Sequence, residues 1–170
     1  MIMNEKKALI GIVIGSDSDL PVTKELIKVL KGFNIGFELF LSSAHRTPER
    51  TRKWAISAKE RGIEVIIALA GYAAHLPGVV ASYTTLPVIG VPIDSSPLKG
   101  IDSLLSIVEM PSGIPVATMG IGTAGAKNSA LFALSILANK YPELDKKIEE
   151  YRKEMATKVE EKGKTIGEDL

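Results

Sequence analysis

Short apolar runs rich in β-branched residues alternate with helix-patterned segments along most of this chain, and few folds accept that pattern. ALIGIVIG (8–15) is a continuous apolar run closed by glycine, as expected of a strand buried on both faces. GFELFL (36–41), EVIIALA (64–70), PVIGV (87–91) and PVATM (115–119) repeat the signal. Asp19-Leu20-Pro21 reads as a helix start with proline in the first turn, and Leu26, Leu30 and Phe33 mark that helix's apolar face. Thr47 reads as the N-cap of a second helix running to Gly62. A short helix is predicted from Leu76 to Ser82, another from Asp102 to Met110, and the glycine-rich GIGTAG opens a further one ending near Lys140. Loops of a few residues between such elements imply parallel strands, right-handed crossovers and helices on both faces. The expected fold is a three-layer α/β/α sandwich around about five parallel strands.

The 170 residues suit one domain, with an α/β core over about 8–140 and a C-terminal helix over about 142–162. In that last segment Leu144, Ile148, Tyr151, Met155 and Val159 form a narrow apolar stripe among charged positions. The stripe suits a helix packed on its own domain or one reaching across to a neighbouring subunit.

A net charge of +1 gives no electrostatic case for nucleic acid or an acidic membrane. No apolar run reaches the roughly 18 residues of a spanning helix, and MIMNEKKALI shows no signal-peptide h-region ending at a small-residue cleavage site. The chain has no cysteine, which excludes disulfides and thiolate ligands and fits a reducing compartment. A cytoplasmic location is expected.

In an open parallel sheet, ligands bind beyond the carboxyl ends of the strands. The segments that follow the five runs are Gly15-Ser16-Asp17-Ser18-Asp19, Ser42-Ser43-Ala44-His45-Arg46-Thr47, Gly71-Tyr72-Ala73-Ala74-His75, Asp94-Ser95-Ser96 and Gly120-Ile121-Gly122-Thr123. The topology should gather hydroxyls, an arginine and both of the chain's histidines at one edge. GSDSD has the makings of an anion seat at a helix N-terminus, with a carboxylate suited to sugar hydroxyls. The same residues could be no more than a capped turn, but Arg46 in the next loop can complete a phosphate site. His45 is the natural acid–base candidate, with a capping or packing role as its rival; AHLPG around His75 could equally be a plain helix start. Other chemistries lack their signatures. There is no GxGxxG after the first run, no GxSxG elbow, no HExxH metal pair, and no aspartate after the third run to accept a phosphoryl group. A pure binding module would leave both histidines unexplained.

Together GSDSD, SAHRTP, AGYAAHLPG, DSLLSIVEMPSGIPVAT and GAKNSALFALSIL resemble the 5-(carboxyamino)imidazole ribonucleotide mutase family, the PurE catalytic subunits of purine biosynthesis. The likeness spans about Ile10 to Lys140 in the right order and is of the mutase class rather than the animal-type carboxylase class. It implies a flavodoxin-like fold, a homo-octamer, no metal, no organic cofactor, and a ribonucleotide substrate whose carboxylate moves from nitrogen to ring carbon four. Direct carboxylation of aminoimidazole ribonucleotide with carbon dioxide is the alternative reaction, and a non-catalytic nucleotide-binding module the alternative of another class. By resemblance, His45 is the acid–base residue and Ser16, Asp19 and Arg46 grip the ribose phosphate. Ser18 and Ser43, from the same two loops, are counted as substrate-binding. Gly71, Ala73, His75 and Leu76 belong to the segment over the base and carboxylate. One departure is Tyr72, where the family usually has the second glycine of AGGAAH; if that position needs positive φ, the tyrosine is strained.

Overall fold

The computed structural model describes residues 2–3 and 7–168. Its six strands are β1 (Ile2–Met3), β2 (Ile10–Ile14), β3 (Phe37–Leu41), β4 (Val65–Gly71), β5 (Val88–Ile93) and β6 (Ala117–Thr118). Six α-helices accompany them: α1 (Leu20–Gly32), α2 (Pro48–Ser57), α3 (Leu76–Ala81), α4 (Ile101–Val108), α5 (Gly122–Ala138) and α6 (Pro142–Glu168). The strands form one sheet in the order β1-β3-β2-β4-β5-β6. All neighbours are parallel except β1, which pairs antiparallel with β3. The five parallel strands thus follow the flavodoxin-like order, with the chain reversing its direction of travel between β2 and β4.

The predicted five-strand α/β sheet is therefore present, with β1 as an unforeseen addition of two residues. The uninterrupted apolar runs have the expected cause, since every residue of β2 and β5 is buried. On one face, Val13, Ile66 and Ala68 pack in a cluster with Trp54 and Ala55 of α2, Leu76 and Val80 of α3, and Ile107 of α4. Gly11 is a close-approach position: a Cβ there would stand 3.1 Å from the Trp54 ring. A bridge of 3.2 Å joins Glu25 on α1 to Lys127 on α5.

Some boundaries differ from the expectation. α2 stops at Ser57 instead of Gly62, and the chain closes through turns that end at Gly62 with φ 90°. Arg61 in that turn donates to Glu38 on β3 at 2.6 and 3.2 Å, and to the Trp54 carbonyl at 3.2 Å. This pairing lets a carboxylate lie fully buried in a strand. β6 keeps only Ala117 and Thr118 of the predicted 115–119 run. It pairs only with β5, and Pro115 has no N–H to extend the ladder. α4 ends at Val108, ahead of Pro111.

The chain divides into two compact units, residues 1–133 and 134–170. The first carries the sheet. In the second, α6 extends to Glu168, beyond the expected end near 162. Of its stripe, Leu144 and Ile148 are buried, Tyr151 is half-buried, and Met155 and Val159 are exposed.

Candidate active site

β2 and β4 are adjacent, but the chain leaves them toward opposite sides of the sheet, and this opens a crevice at their carboxyl ends. A cavity of about 460 Å³ lies there. Its lining includes all ten residues expected from the sequence: Ser16, Ser18, Asp19, Ser43, His45, Arg46, Gly71, Ala73, His75 and Leu76. Tyr72 and Ser95 line it as well, as do Gly15, Ala44 and Ala70. One expectation fails here. The loop after the fifth strand is not part of this lining; a Cβ on Gly122 would instead stand 3.7 Å from Asp94. Convergence thus involves four loops rather than five, because β6 sits three strands away from β2 at the sheet's edge.

The first loop folds on its own polar groups. Ser16 Oγ accepts from the Ser18 N–H at 3.4 Å, while the Asp19 carboxylate turns back to accept from the Ser16 N–H at 3.1 Å. This reciprocal box caps a single 3₁₀ turn, Asp17–Asp19. Asp19 therefore does not cap α1 with its side chain, and the first-turn amides of α1 have no side-chain cap. Few of these amides are free, because Leu20 donates its N–H to the Asp17 carbonyl and Pro21 has none.

Burial pushes the Asp19 carboxyl above its ordinary 3.8; the Ser16 and Gly15 amides pull it down, Asp17 raises it, and Arg46 lowers it. An acid with a raised folded-state pKa costs stability while it is ionised in both states. That cost fades as pH falls through the folded pKa and is gone below the unfolded one. Asp19→Asn should accordingly melt above the wild type at neutral pH, with the gap closing as pH drops toward the ordinary carboxyl value, while ribonucleotide affinity falls. Thermal unfolding against pH checks this, and a gap that widens on acidification would contradict it.

The second loop is built by hydroxyls. Ser42 Oγ lies 2.8 Å from Thr51 Oγ1 and 3.1 Å from Thr47 Oγ1. Thr47 occupies the N-cap position of α2 but makes no capping bond. Its hydroxyl donates to the Ser43 carbonyl at 3.1 Å and accepts from the Ser43 N–H at 3.0 Å. The predicted cap is thus a loop brace, and it holds the His45-Arg46 pair out over the crevice. Arg46 reaches across to the first loop, donating from Nη2 to the Gly15 carbonyl at 3.1 Å.

The third loop brings His75 to His45. Their rings meet edge to face, with His45 Nε2 2.7 Å from His75 Nδ1. One imidazole must donate and the other accept, so the two rings hold complementary tautomers. The sequence reading placed both histidines at one edge without foreseeing this contact. His75 also stands at the start of α3, as the helix-start reading of AHLPG expects, though without a capping bond from its side chain. Gly71 packs tightly on the fourth loop: a Cβ there would fall 2.0 Å from Ser95 Oγ, which would have to turn away. Tyr72 adopts φ 53°, so the strain expected of a tyrosine at this position is present.

Hydroxyls, an arginine and an imidazole pair thus line one cavity at the switch point of a doubly wound α/β sheet. The chain belongs to the AIR carboxylase family, which it matches over residues 9–158. It is 60% identical to the N5-carboxyaminoimidazole ribonucleotide mutase of Pyrococcus horikoshii, over 98% of this chain and 93% of that one. With the mutase of Pyrococcus abyssi it shares 63% identity over 86% of this chain and 83% of the relative. Among solved structures it resembles PurE of Treponema denticola, with a TM-score of 0.80, 28% identity, and coverage of 91% of this chain and 95% of that one. Among the described residues, no helix is long and apolar enough to cross a membrane, and no group of three or more His, Asp or Glu is arranged to hold a metal ion.

Proposed function

We propose that this protein moves the carboxylate of 5-(carboxyamino)imidazole ribonucleotide from nitrogen to ring carbon four, an intramolecular transfer in purine biosynthesis. The observation that carries the reading is the hydrogen-bonded pair His45–His75, set in one cavity with Ser16, Asp19 and Arg46. High identity to curated mutases over nearly the whole chain supports it.

The chemistry fits one acid–base group. His45 as imidazolium protonates the exocyclic nitrogen while the bond from nitrogen to the carboxyl carbon breaks, and its electron pair stays on nitrogen. This yields the amine and carbon dioxide. The electron-rich ring carbon four then attacks carbon dioxide, and His45, now neutral, removes the proton of that carbon. One proton is lent and one recovered, so the enzyme ends as it began. His75 holds the His45 ring at the cavity and can carry the proton between the two steps. Ser16 and Ser18 face the phosphate, Arg46 neutralises it, and Asp19 takes ribose hydroxyls. Ser43, Gly71, Ala73 and Leu76 bound the base and carboxylate.

Purified protein given the carbamate should form 4-carboxy-5-aminoimidazole ribonucleotide with no ATP or added bicarbonate. Turnover of aminoimidazole ribonucleotide with bicarbonate but never of the carbamate would replace this reading by direct carboxylation. The proposal includes assembly as a homo-octamer in the cytoplasm, with α6 extending to a neighbouring subunit. Its support is the exposed end of the α6 stripe, where Met155 and Val159 lie open to solvent. Light scattering should return eight times the chain mass of 18.2 kDa, and a monomer at micromolar concentration would refute the assembly.

A further inference from the structure

Tyr72 combines two features that gain nothing in the unliganded fold. Its backbone lies in the left-handed region, which an aromatic side chain tolerates poorly. Two other non-glycine residues share positive φ, Asn34 and Lys99, and neither lines the cavity. Its ring is also left outside the core: Tyr72 is 57% exposed. Among the described residues the ring makes no stacking or cation–π contact and the hydroxyl no hydrogen bond. Strain at a functional site persists where a ligand-bound state rewards it.

The position says what that reward is. Tyr72 lines the cavity from the same loop as His75. Gly71, Ala73 and Ser95 around it are too small to roof a space of about 460 Å³. A planar ring at the mouth can lie over a five-membered heterocycle, and its edge can shut the path to bulk water. We propose that Tyr72 is a positioning lid: its ring folds over the bound aminoimidazole, keeps water out, and keeps free carbon dioxide beside ring carbon four until it recombines. The lid rests on the carboxylate-transfer reading above. Tyr72 takes no proton and forms no bond. It acts by holding the base and closing the cavity around His45.

Tyr72→Gly and Tyr72→Phe in the full chain test this. Glycine removes both strain and ring, so Y72G should melt at or above the wild-type temperature. It should nevertheless bind 4-carboxy-5-aminoimidazole ribonucleotide about tenfold more weakly, the loss expected for one base–aromatic stack. Ribose 5-phosphate, which has no base, should bind it as it binds the wild type. During turnover of labelled carbamate, Y72G should lose label to bicarbonate, and Y72F, which keeps the ring, should restore retention and product affinity. Wild-type product affinity and wild-type label retention in Y72G would overturn the lid. So would losses in Y72G that track a fall in particle mass by light scattering, because the ring would then be a subunit contact. Failure of the wild type to turn over the carbamate would instead strike the transfer reading, while the comparison of product with ribose 5-phosphate would still decide whether Tyr72 covers a base.

Discussion

His45→Asn will lower turnover of the carbamate by about 10²–10⁴-fold, the usual contribution of a general acid–base group. The effect should fall toward the upper end because one imidazole both gives the proton and takes it back. Asparagine nearly preserves the size of the side chain and can keep a hydrogen bond to His75, but it cannot ionise near neutral pH. Affinity for the ribonucleotide should change only a few-fold, since the proposed grip on phosphate and ribose is the first loop and Arg46. Calorimetric binding alongside steady-state kinetics separates the two. A kcat close to wild type would remove His45 from the mechanism. His75→Asn should lose less, because it withdraws the partner that orients His45 across 2.7 Å and leaves the acid–base ring in place. A larger loss at His75 than at His45 would mean that the roles are reversed.

Arg46→Ala is expected to weaken binding of the phosphorylated ligand by roughly 10–100-fold, the scale of one charge-assisted hydrogen-bonding group. The guanidinium also ties the second loop to the first through the Gly15 carbonyl, so part of the loss could come from loosening of the crevice. The comparison with the unphosphorylated nucleoside separates these causes. If Arg46 neutralises phosphate, the nucleoside should bind the variant and the wild type alike. Arg46→Lys should recover only part of the loss, because an ammonium gives the charge without the planar fork. Equal losses for nucleotide and nucleoside would make Arg46 a brace instead of a phosphate ligand.

The parallel sheet was legible because buried strands leave an unbroken apolar signal, and β2, β4 and β5 all carry it. Strand β1 was not. It has two residues, pairs antiparallel with β3 at the edge of the sheet, and is too short to leave a pattern to read. The ends of α2 and β6 were misplaced because tertiary partners set them: Arg61 reaching Glu38 across the turn, and β5 offering a short ladder beside Pro115.

At the site, the topology rule placed all ten expected residues on one cavity, because the ends of neighbouring parallel strands must meet. It overreached at the fifth loop, since it orders strands without saying how far an edge strand lies from the crevice. The contact between His45 and His75 lies beyond any sequence rule, as it joins rings thirty residues apart through the exact rise of two loops. Ser95 belongs to the loop after β5 that was expected at this edge, though not among the substrate-binding residues; its packing against Gly71 shows how near it lies. The N-cap positions of α1 and α2 do fall at Asp19 and Thr47, but without capping bonds from their side chains. Asp19 and Thr47 both have N-cap chemistry, and both spend their side chains folding the loop that carries the site.

The central claim is that one cavity, served by the His45–His75 pair, breaks the bond to nitrogen and makes the bond to carbon without letting the carbon dioxide go. The direct test supplies purified protein with carbamate labelled at its carboxyl carbon, in buffer holding excess unlabelled bicarbonate. If the transfer is intramolecular, 4-carboxy-5-aminoimidazole ribonucleotide will carry the label at ring carbon four with little dilution, and raising bicarbonate will not change that. Product bearing unlabelled carbon in proportion to bicarbonate would contradict the account and make the protein a carboxylase that takes its carbon from solution.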